Sequence, residues 1–211
     1  MKRTLAAICF LLIAGHAFAQ QGVKVQVPTG SGNSYQTVVP TFPFPVTGVT
    51  NVPTYAAANS SIANTGAGDI FCIRGSATKT IKIKRFRVSA VANTAIVVDT
   101  LIYKRSALDT GGTPLTETAV PLDSLNAAAA ATVLSYSSSP LTGTTVGPVR
   151  ARHIAAGTQG NTATVTEALY DFATYYDQPL TLRGAAQSAC VNVGALGAGG
   201  NWAIDTEWTE E

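Results

Sequence analysis

From Asp69 to Glu211 apolar positions recur in short runs with a period of two, the spacing of strands that bury one face. The closing run is the clearest: Trp202, Ile204, Thr206 and Trp208 fall on one side, with Ala203, Asp205 and Glu207 on the other. Residues 70–73 are apolar on both sides, as a fully buried strand would be, and Gly75 and Ser76 then turn the chain. In the next run Ile81 and Ile83 share one parity, whereas Phe86, Val88 and Ala90 take the opposite one. The phase slips at Lys84 and Arg85, which predicts a β-bulge or a break between two strands. Residues 96–105 read as a central strand. Further strands are expected at 146–154, 163–172, 180–182, 189–193 and 202–208, separated by Gly, Asn and Pro. One helical candidate interrupts them at 121–134, where Asp123 or Ser124 could cap a turn or two through the alanines at 127–131. Many short strands with almost no helix argue for an all-β, two-sheet sandwich or barrel.

Upstream the pattern fades. Residues 20–68 carry Pro28, Pro40, Pro43, Pro45 and Pro53 among Gly, Ser, Thr and Asn, the composition of an extended arm. Two alternations inside it, VKVQV at 23–27 and YQTVV at 35–39, read as edge strands. Residues 1–19 form a signal peptide: Lys2 and Arg3, an apolar stretch at 5–14, and Ala17-Phe18-Ala19 before Gln20. The expected organisation is signal peptide 1–19, arm 20–68 and β-sandwich 69–211, exported to the periplasm or the extracellular space, with no stable membrane insertion after cleavage.

Composition changes the picture in two ways. Losing Lys2 and Arg3 with the leader leaves 12 basic residues against 12 acidic ones, so overall charge gives no reason to expect nucleic acid as a partner. Two cysteines remain, Cys72 and Cys190. In an oxidising compartment they can form a disulfide between distant strands or stay as separate buried thiols, and strand parity leaves both open.

Chemistry is sparse. The mature chain has one histidine, His153, and a lone histidine is more often structural than a metal ligand; no metal or cofactor is expected. Asp205 and Glu207 stand about 7 Å apart along one strand face, a separation a glycosidase pair could use, but any solvated strand face shows the same alternation. The glycine-rich loop at 194–200 opens onto a strand rather than a helix, so it reads as a hairpin connection, not a phosphate loop. Lys79, Lys82, Lys84, Arg85 and Arg87 place five cations within nine residues. Without aromatic interleaving for stacking bases, they read as a basic contact strip or a solvated sheet face. No catalytic constellation is legible.

Several segments together resemble a family of small bacteriophage virion structural proteins of head-decoration or tail-associated type. They are DIFCIRGSATKTIKIKRFRVS, IYKRSALDTGGT, AVPLDSLNAAAAATVLSYSSSP, VGPVRAR, LYDFATYYDQPLTLRGAAQ and WAIDTEWTEE, in that order over 69–211, about two thirds of the chain. The resemblance implies a jelly-roll-like antiparallel β-sandwich that assembles with copies of itself, a trimer being expected, or with other virion or surface proteins, and carries no enzymatic activity. The signal peptide and the arm depart from that pattern. They leave a second expectation, an exported carbohydrate- or cell-surface-binding module using exposed aromatics such as Tyr175 and Tyr176.

Overall fold

The computed structural model describes residues 52–63, 66–158, 165–173 and 178–211, and the backbone of 25–28 and 35–38. The signal peptide, most of the arm, and Tyr175 and Tyr176 lie outside the described residues. The chain divides into two units, Met1–Thr50 and Asn51–Glu211. In the first, both alternations of the arm are strands. β1 (Val25–Pro28) and β2 (Tyr35–Val38) form an antiparallel hairpin, with Val25 opposite Val38.

The second unit is all-β, with no helix among its described residues. Its main strands are β3 (Thr54–Ile62), β4 (Gly68–Arg74), β5 (Thr80–Ala92), β6 (Ile96–Arg105), β10 (Thr145–Thr158), β11 (Ala168–Asp171), β12 (Leu180–Arg183), β13 (Ser188–Val193) and β14 (Asn201–Glu210). One sheet runs β3-β14-β5 and closes on β11 and β12, which share the far edge of β5. The other runs β4-β13-β6-β10. All these pairings are antiparallel, and consecutive main strands change sheet except from β6 to β10 and from β11 to β12. That order is a jelly roll. The long connection from β6 to β10 adds β7 (Pro114–Glu117) and β9 (Thr132–Tyr136) beyond β4, and β8 (Val120–Pro121) beyond β3. The end of β10 pairs in parallel with the end of β5, Gly157 opposite Val91, and joins the sheets at one corner.

The sequence pattern explains the strands that hold the core. β14 buries every second residue, including Trp202, Ile204 and Trp208, and pairs with β3 on one side and β5 on the other. The slip in β5 is a bulge: Glu207 stands opposite Arg85 and Trp208 opposite Ile83, leaving Lys84 as the extra residue. Both parities therefore reach the core, and Ile81, Ile83, Phe86, Val88 and Ala90 are all buried. The bulge is also where the outer neighbour changes, since β11 ends opposite Arg85 and β12 begins opposite Ile83. A second bulge lies in β4, where Val191 pairs with Phe71 and Asn192 with Asp69, passing over Ile70. Ile70, Phe71 and Ile73 join the main core, while Cys72 turns to the other face with Cys190, Leu134 and Tyr136.

Two boundaries differ from the sequence reading. The sandwich begins at β3, not at Asp69, because β3 pairs along β14 from Thr54 to Ile62. Its inward residues are Tyr55, Ala57 and Ile62, and its outward positions are mostly Ala and Ser, so little alternation shows in the sequence. The helical candidate at 121–134 is an irregular connection that ends in β9. Five alanines are too few to nucleate a helix alone. Their amides are also used elsewhere, as Ala130 and Ala131 donate to the buried Glu210 carboxylate at 2.9 and 3.0 Å.

Candidate contact face and buried disulfide cluster

The outer face of the β3-β14-β5 sheet unites two groups that the sequence treats separately. Lys82, Lys84, Arg85 and Arg87 project from β5 beside Asp205 and Glu207 of β14. Glu207 binds Lys84 Nζ at 2.8 Å and Arg85 at 2.7 Å, and Glu211 binds Lys82 at 2.5 Å. Arg87 is in register with Asp205. Burial pushes the Asp205 carboxyl above its ordinary value, against the pull of Arg87 and Arg85. Lys79 stands exposed in the turn before β5. The strip is therefore a charge-compensated face, because the residues that neutralise it lie more than a hundred positions away in sequence. Asp205 and Glu207 do share one face, as the alternation predicts, with Glu207 committed to two cations.

Beside these charges a shallow groove of about 550 Å³ is floored by Ala56 and Ala58 and walled by Val120 and Leu122. None of the strongly exposed large apolar side chains among the described residues is aromatic. At the open edge of the sandwich, Arg150 lies over the Phe172 ring at 5.1 Å and Arg152 over Tyr170 at 5.9 Å. His153 pairs with Asp99 across β10 and β6, Nδ1 to Oδ1 2.5 Å, with both side chains exposed.

On the outer side of the β4-β13-β6 sheet lies a buried polar cluster. Cys72 and Cys190 stand directly opposite in β4 and β13, Cα atoms 4.1 Å apart, and are joined by a disulfide. The linked strands are neighbours, although the cysteines are 118 residues apart in sequence. The bulge at Ile70 brings Asp69 round to the same face, and the loop after β6 brings Asp109 over it. Asp109 Oδ2 lies 3.4 Å from Cys72 Sγ and 3.7 Å from Cys190 Sγ. Its Oδ1 accepts the Gly143 N–H at 2.8 Å, an approach that glycine permits, since a β-carbon there would stand 2.1 Å from the Ala107 carbonyl oxygen. Asp69 accepts from Arg105 Nε at 2.5 Å and from Asn192 Nδ2 at 2.6 Å. Arg105 Nε also reaches Asp109 Oδ1 at 3.4 Å. Arg74 donates to Tyr136 Oη at 3.3 Å and to the Asp109 carbonyl at 3.5 Å. Burial raises the Asp109 carboxyl to about 6; the Gly143 amide opposes the rise and the neighbouring Asp69 adds to it.

Comparison of the chain with family models, curated proteins and solved structures finds no match. Its chemistry therefore rests on its own geometry.

Sequence reasoning found both cysteines and all the cations of the strip. It missed Asp69, Arg105, Asp109 and Asn192 as members of one site. A signal was present at Asp69, a charged residue that opens the 70–73 run, which is apolar on both faces and where a charge needs a buried partner.

Proposed function

We propose that this protein is a non-enzymatic structural protein of virion type, a jelly-roll sandwich that acts by assembling with copies of itself. One observation carries the reading. The jelly roll is filled rather than hollow: Trp202, Trp208, Phe71, Phe86 and Tyr170 occupy its interior with almost no exposure. Jelly rolls serve as capsid, lectin and cupin domains, and a filled interior suits use of the outer surfaces. Those surfaces are suited to protein contact. Apolar side chains are exposed along the β8 loop, with Val120, Leu122 and Leu125 each more than half exposed, next to the compensated charges of β5 and β14. Three copies meeting through sheet faces or edges form the expected assembly, and export by the signal peptide sets where it is used.

The groove over Ala56 and Ala58, with Asp205 and Glu207 at its rim, favours the second reading, an exported carbohydrate- or cell-surface-binding module. Light scattering on the purified protein separates the two. A discrete oligomer, trimeric by expectation, supports assembly. A monomer that binds glycans on an array, with binding lost in Asp205→Ala, replaces it with the second reading.

A further inference from the structure

We propose that Asp69, Cys72, Asp109 and Cys190 are the ligands of a zinc site in the dithiol form of the protein, which the disulfide replaces on oxidation. One ligand atom from each residue lies within 4.8 Å of all the others, and all four residues are buried. The Asp109–sulfur spacings match a tetrahedral site. With Zn–S near 2.3 Å and Zn–O near 2.1 Å, a sulfur and an oxygen of a tetrahedral site stand about 3.6 Å apart. Asp109 Oδ2 already stands 3.4 and 3.7 Å from the two sulfurs. Only the bonded sulfurs must separate and Asp69 close in.

A second observation comes from Asp109 itself. Its side chain is 1% exposed, and the Gly143 amide on Oδ1 turns Oδ2 toward the sulfurs. Disulfide sulfurs carry no proton, so they offer that buried oxygen no hydrogen bond. In the dithiol form the same oxygen faces two thiols or the metal they hold. Asp69 is oriented by Arg105 and Asn192, and each of its oxygens keeps a lone pair for a metal.

Charge points the same way. The two carboxylates of the disulfide form share one paired cation, Arg105, while Arg74 donates to the Asp109 backbone carbonyl. Opening the disulfide to two thiolates adds two negative charges in a space closed to water. Two protons or one divalent cation offset them. Zinc suits a closed site of four protein ligands that includes thiolates. Loading needs no redox reagent, because a newly made chain carries two thiols. Zn²⁺ displaces their two protons and bonds both sulfurs. A disulfide oxidant later takes two electrons from the thiolates, the Cys72–Cys190 bond forms, the oxidant leaves as a dithiol with two protons from solvent, and Zn²⁺ is released. Zinc thus holds β4 to β13 until the disulfide can.

The test uses the full chain, reduced with a phosphine in denaturant and refolded anaerobically with Co²⁺. The expected result is one equivalent bound with a thiolate-to-cobalt charge-transfer band, displaced by Zn²⁺ and absent from the oxidised protein. Asp109→Asn and Asp69→Asn should each weaken zinc about tenfold or more while near-ultraviolet circular dichroism of the buried tryptophans is retained. Three outcomes overturn the proposal: no cobalt uptake by refolded wild type, a reduced chain that fails to fold with the metal present, or unchanged affinity in both aspartate variants, which would make the dithiol alone the chelator.

Discussion

Glu210 and Asp109 are both buried carboxylates, and their surroundings give them opposite effects. Glu210 is 3% exposed and accepts from the amides of Ala130 and Ala131 and from Trp208 Nε1 at 3.0 Å, so its charge is well met. Glu210→Ala leaves two buried donors and the part-buried Ala130 amide without their acceptor and should lower unfolding free energy by about 3 kcal/mol. Glu210→Gln keeps one acceptor oxygen and should cost about half that, a ranking that urea titration reads directly. Asp109 is less well met, and its carboxyl sits at about 6. An unfolded aspartate titrates near about 3.9, so between these values the folded protein holds the proton more tightly. The stability this contributes is fully present below about pH 4 and is lost as pH rises through about 6. Urea midpoints of the oxidised protein across that window should fall with pH, and Asp109→Asn should flatten the slope.

Among the elements, the bulge in β5 shows what a sequence can and cannot give. The parity change at Lys84 and Arg85 is local, so it was legible, as was the alternation of β14. The jelly-roll order was not legible from spacing, because which strands become neighbours is settled by contacts distant in sequence. β3 was hidden for a different reason: alanine and serine fill its outward face, leaving little contrast for a period-two pattern. The same limit divides the candidate sites. The cations of β5 form one local cluster, but Glu207 and Glu211 reach them only through strand pairing, and Asp69, Asp109 and the cysteines meet only once β4, β13 and the loop after β6 are assembled. The bulge can be tested as an element. Deleting Lys84 removes the extra residue and leaves Ile81, Ile83, Phe86, Val88 and Ala90 in one strict alternation, so the deletion should keep cooperative thermal unfolding and lose only the Lys84 ion pair and the bond from the Phe172 amide to the Lys84 carbonyl. Lys84→Ala keeps the bulge and removes only a partly exposed ion pair, worth less than about 1 kcal/mol. A deletion variant that loses cooperative unfolding would show that the bulge is required.

For the whole molecule, the Cys72–Cys190 link ties the second strand of the sandwich to the last but one. It closes a loop of 118 residues that includes β5, β6, β10 and the inserted strands. Chain entropy alone assigns a cross-link of that span about 4–5 kcal/mol, a large share of the stability of a single domain. The fold has to form before the link does, because the two sulfurs become neighbours only when β4 and β13 pair. Its contribution should therefore appear mainly in the unfolding rate and little in the folding rate, unless β4–β13 pairing is already made in the folding transition state. Oxidised and reduced protein, both with chelator present, should show urea midpoints separated by a stability difference of several kcal/mol, with stopped-flow refolding rates that agree closely. Restoring zinc to the reduced protein should recover part of the lost midpoint without changing the oxidised one. Equal midpoints for the oxidised and the chelated reduced chain would mean that the sandwich is held by its core of two tryptophans and their neighbours alone, with the link between β4 and β13 adding nothing to equilibrium stability.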